Sequence, residues 1–131
     1  MTQENVEIVR RGYEAYARAD VDTIRGDTDP EIVTYREEPD GATFHGFDGL
    51  QRAIAEWVED FDDFTATPEE LIDANDHQVL VRVHQTAVGA QSGAAIEADY
   101  WFVHTLRGPK VTRLEMFANK AHAFRAAGLA G

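Results

Sequence analysis

A chain of 131 residues with 44% hydrophobic content is long enough for one domain built round a single core, and too apolar for a disordered segment. Its net charge of −12, from 24 acidic and 12 basic residues, argues against nucleic-acid and anionic-membrane partners, which are held by Lys and Arg neutralising phosphates; the lysines are Lys110 and Lys120 alone. The absence of cysteine excludes disulfides, thiol catalysis and cysteine metal sites, no apolar run approaches the ~20 residues of a membrane span, and the polar start Met1-Thr2-Gln3-Glu4 does not read as a secretory signal, so a cytoplasmic protein is expected.

Residues 4–18 predict the first helix, with Val6, Val9, Tyr13 and Tyr16 or Ala17 recurring at helical spacing. Asp20 can cap a short second helix from Val21 to about Gly26, and Asp29-Pro30 ends it. Glu31 to Arg36 reads as a short strand and Glu38-Pro39-Asp40-Gly41 as a turn. Asp48 with Gln51 three residues on makes a capping-box pattern for a third helix. Along it Leu50, Ile54, Trp57 and Phe61 define one buried stripe, while Glu56, Glu59 and Asp60 face water.

Phe64 to Asp73 reads as a strand, and Pro68 inside it marks an edge or a bulge because proline cannot donate to a ladder. From His77 to Ala90, Val79, Val81 and Val83 alternate with Leu80, Arg82 and His84, the signature of a strand. Ser92-Gly93 turns it, Ala94 to Leu106 returns, Arg107-Gly108-Pro109-Lys110 turns again, and Val111 to Asn119 is the last strand. Ala121 to Ala127 reads as a closing helix with Gly128 at its stop. The order α-α-β-α-β-β-β-β-α predicts a single α+β domain over residues 1–131, with helices on the concave face of a curved, mixed and mostly antiparallel sheet wrapped round a pocket.

The segments Glu4-Asn5-Val6, Tyr16-Ala17-Arg18-Ala19-Asp20-Val21-Asp22, Asp29-Pro30-Glu31-Ile32-Val33, Phe44-His45-Gly46-Phe47-Asp48-Gly49-Leu50, Glu69-Glu70-Leu71-Ile72-Asp73-Ala74 and Ala126-Ala127-Gly128-Leu129 follow one another in an order that resembles the SnoaL-like branch of the ketosteroid-isomerase-like (nuclear-transport-factor-2-like) superfamily. The resemblance spans essentially the whole chain. It implies a conical half-barrel with a deep apolar pocket, often a dimer through the outer sheet face. Members include isomerases, cyclases, epoxide hydrolases, dehydratases and proteins without known activity, so the fold does not name the reaction. The first-strand carboxylate base of the steroid isomerases falls at Tyr35, with Glu37 two residues on. Their helix-one tyrosine falls at Gly12, which removes that oxyanion donor, and the last-strand aspartate of the cyclases falls at Met116, beside Glu115.

A tight turn near Gln91-Ser92 sets His84 opposite Asp99 and Arg82 opposite Trp101. One face then carries Val79, Val81, Val83, Gln85, Ile96, Ala98, Tyr100, Phe102 and His104, which suits a ligand pocket. The other, with Arg82, His84, Asp99 and Trp101, reads as an outer face and subunit contact, predicting a homodimer. A two-residue turn at Gly108-Pro109 extends the register to place His104 opposite Arg113, Phe102 opposite Glu115 and Tyr100 opposite Phe117. The family alignment instead turns Met116 inward. A single β-bulge reconciles the two in either sense, since a one-residue slip exchanges the faces.

On the first register His104 and Glu115 form a proton-transfer pair, the histidine titrating near neutrality and the carboxyl raised by burial. The alternative is a structural network that includes Arg113. Tyr35 and Tyr16 are candidate hydroxyl donors to a ligand oxygen, Trp57 and Phe61 form the helical wall, and Tyr100, Phe102 and Phe117 hold a ring or chain. Core packing is the alternative for each aromatic side chain. The five histidines show no metal-binding spacing, Ser92 is the single serine and lies in a turn, and no glycine-rich phosphate loop occurs, so no metal and no cofactor are expected. Two functions remain: cofactor-free proton transfer of isomerase, cyclase or hydrolase type on a hydrophobic, oxygen-bearing small molecule, or a non-catalytic ligand-binding or dimeric interaction module.

Overall fold

The computed structural model describes residues 2–129. Helices α1 (Thr2–Ala17) and α2 (Val21–Gly26) precede β1 (Thr28–Arg36) and β2 (Ala42–His45). Helix α3 (Gly46–Val58) follows, then β3 (Phe61–Asn75), β4 (Gln78–Gly89), β5 (Ala95–Arg107), β6 (Lys110–Phe117) and α4 (Lys120–Ala126). The six strands form one sheet in the order β2-β1-β6-β5-β4-β3. The β1–β6 pair is parallel and the other pairs are antiparallel, which gives the expected curved, mixed sheet with its helices. No helix among the described residues is long and apolar enough to cross a membrane.

Burial in β4 follows the period of two that a pleated strand imposes. Val79, Val81 and Val83 enter a core with Val6 and Val9 of α1, Phe47 and Leu50 of α3, and Phe102 and Met116. Leu80, one residue out of phase, enters a second cluster on the opposite face with Val103, Phe117 and Ala123 and Ala127 of α4. Helices α1 and α3 therefore cover the concave face, and α4 packs on the convex one, a departure from the expected one-sided arrangement. Gly128 stops α4 with φ of 72°, and Leu129 N–H donates back to the Phe124 carbonyl at 2.8 Å.

Three local readings change. The segment after the Glu38–Gly41 turn forms the short strand β2 instead of remaining a loop, pairing Thr43 with Tyr35. Helix α3 starts at Gly46, so His45 is its N-cap without a side-chain bond, and Asp48 sits in the first turn, where a carboxylate opposes the helix dipole, rather than capping it. Here α3 lies so close to β2 that a Cβ on Gly49 would stand 3.1 Å from the backbone of Phe44. Phe61 leaves the helical stripe and opens β3 opposite Gly89. Pro68 lies on the edge strand β3 next to a register shift, where its missing donor costs no ladder bond.

The β4–β5 hairpin keeps the expected register, with Val79 opposite His104, Phe102 opposite Val81 and Gln85 opposite Ala98. The β5–β6 hairpin starts as its turn predicts, with Arg107 opposite Lys110 and Leu106 opposite Val111. A shift then intervenes, and Thr105 meets Arg113, His104 meets Leu114, Val103 meets Glu115 and Phe102 meets Met116. Thr112 is the extra residue, its hydroxyl donating to the Thr105 carbonyl at 3.3 Å. The bulge carries Leu114 and Met116 into the concave core and turns Arg113 and Glu115 out.

Candidate functional site

A cavity opens between α1, α3 and the concave face of the sheet. Its free space is about 920 Å³ with the mouth included, of which about 140 Å³ admits the centre of a water-sized sphere. The second figure is the one to set beside known buried cavities, and it is close to the ~150 Å³ of an apolar cavity that takes up benzene. The wall is almost wholly apolar, built from Ile8 and Val9 of α1, Leu50, Ile54 and Trp57 of α3, and Phe102, Leu114 and Met116 of the sheet. The alternating pattern of β5 and β6 places the last three, and the i, i+4, i+7 spacing of Leu50, Ile54 and Trp57 places the helical wall.

Inside this wall the Tyr13 hydroxyl lies 2.9 Å from His104 Nε2, and the rings meet edge to face with centroids 5.5 Å apart. Burial pushes the Tyr13 phenol well above its usual value and draws the His104 imidazole down to about 4. Both side chains nonetheless retain some accessible surface, and both line the cavity, so that surface faces its interior. The full shift belongs to a cavity free of water. At pH 7 both groups are neutral.

At the mouth, Tyr16 is 36% exposed and its phenol is raised by partial burial. Asp27 lines the same rim and receives two hydrogen bonds from Arg11, at 2.7 and 2.8 Å, which neutralise its charge there. At the other end the Trp57 indole N–H donates to Gln85 Oε1 at 2.9 Å. Trp57 also stands edge-on to Tyr100, with ring centroids 5.0 Å apart. Beyond it a second groove with an acidic rim contains Tyr100 and Phe61 and is bordered by Gln85 as well.

The structure brings together part of the predicted set. His104, Tyr16, Trp57 and Phe102 line the cavity, and Tyr100 and Phe61 lie behind Trp57 in the adjoining groove. Tyr35, Glu115 and Phe117 are on the other side of the sheet. Tyr35 is paired with Glu115 and edge-on to Phe117 at 6.1 Å, and both rings pack towards α4. Burial raises the Glu115 carboxyl, with Arg113 Nε at 3.5 Å opposing that rise. His104 and Glu115 therefore share no cavity, and the Thr112 bulge is the reason. By sequence, Tyr13 falls in the helical repeat of α1 without a role and Gln85 on the pocket face, where the structure also puts it. Tyr13, one residue after Gly12, brings a helix-one hydroxyl to the cavity. On the convex face the expected pairs form, His84 opposite Asp99 and Arg82 opposite Trp101, and His84 Nδ1 lies 2.7 Å and a guanidinium nitrogen of Arg82 3.3 Å from the Asp99 carboxylate. That contact raises His84 and lowers Asp99. Among the described residues no three His, Asp or Glu side chains are grouped to hold a metal.

A cone-shaped sheet closed by two helices round an apolar cavity defines the ketosteroid-isomerase-like class of fold. Residues 9–114 match the family model of the SnoaL-like domain, and the chain belongs to that family. An NTF2-like protein from Burkholderia xenovorans LB400 is 26% identical, with a TM-score of 0.74 over 97% of this chain and 98% of that one. TerC, crystallised with polyporic acid, is 18% identical with a TM-score of 0.75 over 95% and 98% of the two chains. A protein of ketosteroid-isomerase-like fold from Catenulispora acidiphila DSM 44928, in complex with trimethylamine, is 13% identical with a TM-score of 0.72 over 95% and 94%. Comparison with curated proteins finds no match.

Proposed function

We propose that the chain binds a hydrophobic, oxygen-bearing small molecule in the cavity, with the Tyr13–His104 pair receiving the ligand's oxygen. The observation that carries this reading is a hydrogen-bonded, uncharged pair set in an otherwise apolar enclosure. Such a pair has two arrangements: Tyr13 donates to Nε2, or Nε2–H donates to the Tyr13 oxygen and frees the phenolic proton for the ligand. The second offers a donor to a carbonyl or hydroxyl without placing a charge in the cavity, where it would be costly. His104 stays in the proposed site, with Tyr16, Trp57 and Phe102 as wall. Glu115, Tyr35 and Phe117 are left out of it because they lie on the other face of the sheet.

The test is a thermal-shift screen of aryl ketones and phenols, followed by titration of the hits against Tyr13→Phe and His104→Gln. Loss of one buried hydrogen bond predicts about tenfold weaker binding of oxygen-bearing hits to Tyr13→Phe. Unchanged affinity would remove the pair from the site.

A catalytic form of the same reading uses the Nε2 lone pair of His104 as proton acceptor, on the geometry of its contact with the Tyr13 hydroxyl, while burial itself makes the imidazole a weaker base. The α-carbon of a bound ketone passes its proton to the Tyr13 oxygen as the Tyr13 proton moves to Nε2. The result is an enolate opposite a protonated imidazole, with atoms and charge balanced. Hydrogen exchange of a bound enolisable ketone in deuterated water separates this from binding alone: no exchange above the buffer rate leaves a binding module. We further infer a homodimer through the convex face around Arg82, His84, Asp99 and Trp101, where a half-exposed ion-pair set surrounds a tryptophan. A sedimentation run showing only monomer at tens of micromolar counts against it.

A further inference from the structure

The end of the cavity away from His104 carries a polar group of its own. Gln85 stands on the concave face of β4, is 7% exposed and lines the cavity. Its Oε1 accepts the Trp57 indole N–H. An indole nitrogen only donates, so the amide oxygen must face it, and the amide NH₂ is turned elsewhere. That NH₂ makes no hydrogen bond to the protein among the described residues, and it is not sealed in either: the buried polar atoms without partners are Thr34 Oγ1 and Arg36 Nε. Gln85 borders both the apolar cavity and the acidic-rimmed groove behind Trp57, and a donor of fixed direction left unpaired there calls for an acceptor.

Resting on the reading of the cavity as a ligand site, we propose that Gln85 determines specificity by donating its amide N–H to a carbonyl-type oxygen at the end of the cavity remote from Tyr13–His104. Trp57 is the positioning residue that holds the amide in that direction. The two ends differ chemically. Gln85 can only donate there, while the Tyr13–His104 pair can donate or accept, so a ligand with unlike oxygens enters in one orientation.

Register sets the length. His104 stands opposite Val79, and Gln85 lies six residues further along β4. At about 3.3 Å per residue the two positions are at most about 20 Å apart along the strand, and the concave curvature shortens the gap between side-chain tips. Within that bound fits an elongated apolar molecule with an oxygen at each end, one ring in the enclosed part of the cavity and the remainder in its open space.

The test uses 6-acetyl-2-naphthol and 6-ethyl-2-naphthol, which differ at the carbonyl and are followed by their own fluorescence. The wild-type protein is expected to bind the ketone about tenfold more tightly. Gln85→Leu should abolish that preference. Trp57→Phe keeps an aromatic ring but frees the amide to turn, so, whatever the altered wall costs both probes in common, the preference should fall below about threefold. A purely structural role for Trp57 would weaken both probes alike and would overturn its assignment. Equal binding of the two probes by the wild-type protein, or a preference that survives Gln85→Leu, overturns the role of Gln85 and leaves the cavity reading standing. Failure of both probes to bind the wild-type protein sinks both together, and needs no variant to fold.

Discussion

His104 provides a thermodynamic test of whether the cavity is dry. Its imidazole is drawn down to about 4 by burial, from the usual 6.5. Between those values the unfolded chain carries a proton at this position that the folded chain does not, so acid favours unfolding. The contribution of His104 is complete above pH 6.5 and is lost as the pH falls towards 4. At about 1.4 kcal/mol per pH unit the ceiling is about 3 kcal/mol. Part of each ring faces the cavity, where any water would restore solvation, and the expected effect is about 1–3 kcal/mol. The assay is urea unfolding of wild-type protein and His104→Gln in half-unit steps from pH 4 to 7.5. Gln keeps a hydrogen-bonding group for Tyr13 and does not titrate. The carboxylates titrate alike in both proteins and cancel in the difference. So does His84, whose raised pKa acts in the opposite sense, stabilising below its unfolded value and losing that effect as the pH rises through its folded one. The wild-type advantage over the variant should shrink by that amount on acidification. Parallel curves would show that His104 is solvated like a free imidazole and that the cavity is a water-filled cleft.

Three further outcomes follow from the packing. Met116→Ala removes a side chain that is 3% exposed in the core and should cost about 2–5 kcal/mol in urea unfolding, while enlarging the ligand space. Deleting Thr112 removes the bulge and forces either Arg113 and Glu115 into the concave core or a broken hairpin. A loss of at least about 3 kcal/mol or failure to fold is expected, and a deletion variant of near wild-type stability would contradict the register. Glu115→Gln and Tyr35→Phe, on the convex side, should leave the affinity of any cavity ligand within about twofold, and a larger loss measured by titration would place them in the site after all.

Much of the architecture was legible because it depends on periods that side chains impose. The β4 alternation of Val79, Val81 and Val83 against Leu80, Arg82 and His84 assigned both faces of the sheet, and a short turn set the β4–β5 register that the structure adopts. Boundaries were less legible. Strand β2 has four residues, too few to show a period, and Phe61 continues the spacing of the α3 stripe although the helix ends at Val58. The placement of α4 on the convex face was also hidden. Its apolar residues specify a buried side, but the surface that receives them, formed by Leu80, Val103 and Phe117, exists only once β4, β5 and β6 have paired.

The division of the candidate site turns on a single residue, and here two sources of register information compete. A hairpin turn dictates pairing only as far as the ladder is regular, while side-chain polarity dictates which face can be buried. In β6 the turn taken alone buries Arg113 and Glu115, leaving two charged groups to be desolvated in an apolar core. The bulge instead buries Leu114 and Met116, which join the half-buried Val111 in the cavity wall. Val111 and Leu114 are three residues apart, a spacing that a regular strand cannot place on one face and that one extra residue between them can. The energetic contrast is large, since each buried unpaired charge costs several kcal/mol and each buried aliphatic side chain contributes about 1.5–3. Polarity should therefore outrank turn geometry wherever the two disagree in a half-buried strand. Applied to residues 111–117, that rule places Glu115 outside and Met116 inside. It leaves Tyr13, on the buried stripe of α1, as the hydroxyl that faces His104.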